Sequence, residues 1–242
     1  MGSRKLIIAL SLCAFITLPA FPAETDEVET GEGAVDASLS VDLVSAYIWR
    51  GQDLGGVSIQ PGASVGYRGL SFGLWGSSGF ERNDTKEFDL CLEYSTGGFS
   101  VGVTDYWFDN GPGYFHYAAH KTAHVFEGHL GYDFGPLALN WYTNFAGNDG
   151  VTRKGKRAYS SYVELSAPFT LGGLDWSAEV GASPWATSFY NASGFSVIDL
   201  GLGVGKQFTV ADSFGLTVSV KGIWNPRDDK GYLTAGISFA KL

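Results

Sequence analysis

The chain has 242 residues, a formal net charge of −9, 45% hydrophobic and 15% aromatic residues, and 34 glycines. Its acidic balance argues against a nucleic-acid partner, and beyond the opening segment no apolar run is long enough for a spanning helix. Abundant glycine and aromatic residues without long apolar runs suit a β-barrel.

The chain opens MGSRKLIIALSLCAFITLPAFPAETDE. Arg4 and Lys5 supply a basic start, residues 6–18 an apolar run too short to span a bilayer, and residues 19–23 a processing region. That layout predicts a secretory signal peptide over residues 1–23, cut after Ala20 or Ala23. Six acids follow (Glu24, Asp26, Glu27, Glu29, Glu32 and Asp36), so residues 24–36 read as a short acidic flexible arm. Residues 37–242 remain for one large β domain.

From residue 38 onward, apolar and polar residues alternate with the period of a strand. Leu39, Val41, Leu43, Tyr47 and Trp49 share one face, broken at Ser45, with Asp42 and Arg50 opposite. Val57, Ile59, Ala63, Val65 and Tyr67 then face away from Ser58, Gln60, Ser64 and Arg68, and Leu70, Phe72 and Leu74 oppose Ser71, Gly73 and Trp75. In KEFDLCLEYSTGGFSVGVTDYWF, Phe88, Leu90, Leu92 and Tyr94 alternate with Glu87, Asp89 and Glu93, and a returning strand follows the Gly-rich turn. The alternation puts Asp105 on the apolar row, so either the apolar band ends there or a bulge re-aims the strand. Phe126, Leu130 and Tyr132 oppose Glu127 and His129, and Leu139 and Trp141 oppose Asn140, Tyr142 and Asn144. Five further strands place Glu164, Asp175, Glu179, Asp199 and Lys221 on polar rows, and the last ends on Phe239. The total is about twelve strands.

Short connections (RG, STGG, DFGP, TLGG, TVADS) alternate with longer polar ones such as ERNDTK, DNGPGYFHYAAHKT, AGNDGVTRKGKR and WATSFYNASG. Short turns on one rim, long loops on the other and aromatics at strand ends predict an all-β transmembrane antiparallel up-and-down barrel. It would sit in the bacterial outer membrane with periplasmic termini, in contact with outer-membrane lipid and inserted by the barrel-assembly machinery. The alternative is a secreted β-sandwich or lipocalin-like barrel with the apolar rows as its core. Polar rows rich in Gly, Ser and Asn but poor in lysine make an odd outer surface for such a protein.

Residues 45–80 carry Tyr47, Trp49, Arg50 and Gly51, then Gln60 and Pro61, Gly66, Tyr67 and Gly69, and Trp75, Gly76 and Ser77. This pattern resembles the Gcw_chp family of predicted bacterial outer-membrane proteins, with its early Y-x-W/F-R-G stretch, G-Y-x-G turn and W-G-S segment. TKEFDL, TDYWF and YDFG extend the likeness. The resemblance implies an outer-membrane location and brings no catalytic residues with it.

Function on a barrel must come from lumen, loops or rim. Eight strands give a filled interior and sixteen an aqueous channel, so twelve allow a narrow pore, a pocket or a plugged lumen. The expected lumen-lining residues are Asp42, Arg50, Arg68, Glu87, Asp89, Glu93, Glu127, His129, Glu164, Asp175, Glu179, Asp199 and Lys221. The acid excess predicts a narrow channel for small cationic or neutral solutes. The alternatives are a structural or surface-interaction barrel, with paired charges closing the lumen and loops that bind a partner, and an outer-membrane hydrolase. No G-x-S-x-G or other nucleophile motif supports an enzyme. His116, His120, His124 and His129 recur along one segment, but spacing of four on a strand separates ligands by about 13 Å. No metal and no cofactor are expected, and Glu127 and His129 share a face on which they could pair.

Overall fold

The computed structural model describes residues 35–118, 121–211 and 214–241. The expected signal peptide, arm residues 24–34 and His120 lie outside them. Among the described residues the protein is all-β. Its strands are β1 (Asp36–Val44), β2 (Tyr47–Trp49), β3 (Gln52–Gly55), β4 (Ser58–Tyr67), β5 (Leu70–Gly79), β6 (Lys86–Thr96) and β7 (Phe99–Phe108). There follow β8 (His124–Asp133), β9 (Ala138–Gly147), β10 (Ser161–Leu171), β11 (Leu174–Ser183), β12 (Ser196–Ala211), β13 (Phe214–Asn225) and β14 (Lys230–Lys241). Asp36, assigned to the arm by composition, already pairs with Gly66 in β1.

Twelve strands, all but β2 and β3, close into one antiparallel barrel. Closure comes from β1, which pairs with β4 on one side (Leu43 opposite Ile59) and β14 on the other (Leu43 opposite Ile237). The alternating rows fall as their period requires. On β6, Glu87, Asp89, Cys91 and Glu93 are buried inward, whereas Leu92 points outward and is 51% exposed. Leu39, Val101, Leu130, Leu165, Leu202 and Phe239 continue the exposed apolar outer surface.

Three turns on the short-turn rim have two residues of positive φ: Arg68 and Gly69 (49° and 83°), Gly97 and Gly98 (58° and 86°), and Gly172 and Gly173 (66° and 73°). Two left-handed residues match the twist of a tight antiparallel hairpin. This removes Arg68 from the lumen. It is a turn residue, exposed, with its guanidinium 5.3 Å from the Tyr67 ring.

A second departure matters more. β1 stops at Val44, and Tyr47 and Trp49 do not continue its outer row. They belong to a separate two-stranded sheet, β2 with β3, and both are buried. What reads as a long first strand and a short loop is therefore a segment, residues 45–57, that turns into the barrel. A lone two-stranded hairpin is marginal, and the wall holds this one. Asn225 donates to the Gly51 carbonyl at 3.0 Å, and Tyr47 donates to Glu87 at 2.9 Å. The turn itself is tight, with Arg50 at φ 49° and Gly51 at φ 72°, and a Cβ on Gly51 would collide with the Ile198 carbonyl oxygen.

Asp105 is reached without a bulge, opposite Leu90 on β6 and Phe126 on β8. It stays on the outer face and meets His124 Nδ1 at 2.7 Å. Within TDYWF, Tyr106 points inward and is buried, while Trp107 meets the Tyr114 ring.

Gly51→Ala should unseat the hairpin while sparing the wall, since a left-handed Ala costs roughly 1–2 kcal/mol before the clash is counted. Limited proteolysis should then cut within residues 45–57 while the rest of the barrel resists. Equal resistance in both proteins would mean that the hairpin tolerates a different turn.

Candidate functional site

Inward rows and the hairpin meet near the long-loop rim, and Arg50 stands at the centre. Its Nη1 lies 2.6 Å from Glu127 Oε2 and its Nη2 2.9 Å from Glu127 Oε1, a two-point contact, and Nη1 also donates to the Tyr190 hydroxyl at 2.7 Å. Tyr106 donates to Glu127 Oε1 at 2.9 Å. The Cζ atom lies 4.1 Å from the Tyr142 ring centroid, 4.4 Å from Trp49 and 4.7 Å from Tyr162. Forked pairing with a carboxylate and stacking on aromatic faces suit arginine and would not suit lysine.

Burial by itself lowers the guanidinium pKa, but Glu127, through its charge and its hydrogen bonds, and the neighbouring Tyr190 and Tyr106 together outweigh that and hold it above its ordinary value. Burial raises the Tyr190 hydroxyl, so it stays protonated beside the cation. The aromatic rings form one packed group of Tyr47, Trp49, Trp75, Tyr106, Tyr142, Tyr162 and Tyr190, with Phe189 against it. Tyr190 and Phe189 come from the β11–β12 loop, which thus folds over the hairpin. Counting Tyr47 with Trp75 on β5, Glu127 on β8 and Asn225 on β13, the hairpin touches the wall on opposite sides.

The remaining expected lumen residues fall into smaller groups. Lys221 on β13 pairs with Glu179 on β11 at 2.5 Å. Tyr162 faces Asp199 at 3.2 Å and Glu164 at 3.3 Å, which gathers three carboxylates near one lysine. His129 pairs with Glu93 at 2.9 Å and does not pair with Glu127, which Arg50 occupies. Asp42 is buried on β1, and Asp175 lies half-buried near the β10–β11 turn, 3.5 Å from the Thr170 hydroxyl. Arg50 is within the barrel but belongs to the hairpin, and Arg68 is outside, as described above.

The histidine segment is split up. His116 is exposed in a loop, His124 lies on the outer wall and His129 faces inward. His124 is fully buried, with Nδ1 at Asp105 and Nε2 2.6 Å from the Tyr114 carbonyl oxygen, and it stacks on Tyr117 at 4.1 Å. Both ring nitrogens are thereby engaged. Among the described residues no group of three or more His, Cys, Asp or Glu side chains could hold a metal ion.

Sequence reasoning missed the aromatic cage. Tyr142 and Tyr162 do fall on inward rows by alternation, so an inward tyrosine beside an arginine was a usable signal. Tyr190, in a loop without periodicity, offered none.

No family model matches the chain, and no curated protein matches it. Several solved barrels are similar in architecture. A KdgM porin aligns with TM-score 0.48 at 7% identity, over 86% of this chain and 99% of that one. A NanC porin aligns with TM-score 0.45 at 7% identity, over 86% and 100%. The COG4313 outer membrane channel from Pseudomonas putida F1 aligns with TM-score 0.44 at 12% identity, over 90% and 99%.

The clamp makes a definite prediction. Removing one partner of a buried ion pair costs about 3–5 kcal/mol, because the other charge is left uncompensated. In Arg50→Ala and Glu127→Gln, backbone amides of residues 47–55 should exchange hydrogen much faster, with β4–β14 little changed. Unchanged protection of the hairpin would show that the aromatic contacts hold it without the charge.

Proposed function

We propose that the chain is an outer-membrane barrel whose acid-rich lumen passes small cationic or neutral solutes, with the β2–β3 hairpin limiting that passage. The observation that carries this reading is the hairpin itself, which reaches opposite sides of the wall and is seated by one arginine. Inward carboxylates on β1, β6, β8, β10, β11 and β12 outnumber Arg50 and Lys221, so the interior favours cations over anions. The exposed apolar outer rows support a membrane setting, since a closed barrel leaves no backbone edge unsatisfied in hydrocarbon. On this reading the short-turn rim is periplasmic, the partners are lipid and the assembly machinery, and the chain is a Gcw_chp-type protein whose Y-x-W-R-G stretch forms the plug.

A second reading is favoured by the same hairpin: a lumen closed at all times, with the loops binding a surface partner. Planar-bilayer recording separates the two. The first predicts a small cation-selective conductance that rises several-fold in Arg50→Ala and loses selectivity when Glu87, Asp89 and Glu93 are neutralised together. A folded Arg50→Ala barrel that carries no current would establish the closed lumen.

The membrane setting has its own test. An arginine on the lipid face near the bilayer midplane costs about 2–4 kcal/mol. Leu92→Arg should therefore weaken refolding into lipid vesicles by that amount in a urea titration. Wild-type folding in buffer without lipid or detergent would refute the membrane reading.

A further inference from the structure

The inward face of β6 carries two acids that the Arg50 clamp does not use. Glu87 and Asp89, two residues apart, are 6% and 0% exposed. Glu87 accepts the Tyr47 hydroxyl and lies within hydrogen-bond reach of Asp89, whose carboxylate oxygens meet no other side-chain donor. Among the described residues, no lysine, arginine or histidine forms an ion pair with either acid. Arg50, Lys221, His124 and His129 are taken by Glu127, Glu179, Asp105 and Glu93. A buried carboxylate without a counter-charge is costly, and a bound cation would relieve that cost.

The surroundings select the kind of cation. Asp89 stands directly across from Trp75 on β5 and Tyr106 on β7, both buried. Neighbours opposite each other on one face of a sheet lie about 4.5–5.5 Å apart at Cβ, so an indole and a phenol flank the carboxylate. Tyr47 adds a third ring, 5.7 Å from Trp75 and joined to Glu87, as the hairpin's cover over this corner. Calcium and magnesium want six or more oxygen ligands, and beyond the two carboxylates this corner offers only two phenol hydroxyls, each already donated to a carboxylate, beside its ring faces. An alkylammonium ion uses both halves of such a site: the carboxylates take its charge and the rings its methyl or methylene groups.

We propose that Glu87 and Asp89, bordered by Trp75, Tyr106 and Tyr47, bind a small organic ammonium ion. The proposal rests on the reading of the lumen as a path for solutes and names the class of solute. It also ties occupancy to the hairpin, because Tyr47 belongs to both.

The test is isothermal titration of choline chloride into the refolded full-length barrel in detergent, at constant ionic strength, with potassium chloride as competitor. Choline should bind saturably, about tenfold more weakly in Asp89→Asn and in Trp75→Leu, and equimolar potassium should not displace it. Folding of each variant is checked by circular dichroism and heat-shifted gel mobility, and Trp75→Phe, with a few-fold loss expected, replaces any Trp75→Leu that misfolds. A folded wild-type barrel without saturable binding would overturn the site, as would an unchanged affinity in Asp89→Asn or equal competition by potassium. Bilayer recording keeps the two ideas apart. Choline binding by a barrel that carries no current even in Arg50→Ala sinks the passage reading and leaves the site. Current without choline binding does the reverse.

Discussion

Pairing of β1 with β14 leaves the wall without a free strand edge, and the rest of the structure follows from that closure. A backbone N–H or C=O away from water is costly when unpaired, and a closed ladder supplies each strand with a partner on both sides. Side chains are then sorted by strand period alone: Leu92 outward, Asp89 and Glu93 inward, with no intermediate choice. The wall is thereby committed, and variety is confined to the interior and the long-loop rim.

Within that interior the cost of burying charge decides the arrangement. Glu127 is tolerable because a forked guanidinium and a tyrosine hydroxyl meet it. Glu179 and Glu93 are met by Lys221 and His129. Arg50 reaches Glu127 only if the chain leaves the wall after Val44, crosses the lumen and returns at Ser58. The clamp thus explains why a hairpin too short to stand alone is ordered, and why aromatic rings from β7, β9, β10 and the β11–β12 loop gather at one end. Among the described residues Arg50, His129 and Lys221 are thus engaged by other acids, and no ion pair reaches Glu87 or Asp89.

The outer wall shows the principle in reverse. Asp105 is a carboxylate on the apolar face, and it is made acceptable by His124 and by Tyr114 and Tyr117, which fold down from the β7–β8 loop. The polar pair is covered rather than moved, so the register of β7 continues past it undisturbed.

How much of this was legible in advance depended on whether the information was local. Period-two alternation, tight turns at positions such as Gly97–Gly98, and loop lengths specified the strands, their count, their two faces and the two rims, because each is set within ten residues of chain. The inward placement of Glu87, Asp89, Glu127, Glu164, Asp199 and Lys221 came with them. Alternation could not tell that Tyr47 and Trp49, in phase with Leu43 across Ser45, leave the wall. Nor could it tell that Arg68 forms a turn, or that Glu127 prefers Arg50 to the nearer His129. Those outcomes turn on contacts between residues up to 174 apart, such as Asn225 with Gly51, and on competition for buried charge. Only the closed barrel, by bringing all its strands around one small volume, settles which partner wins.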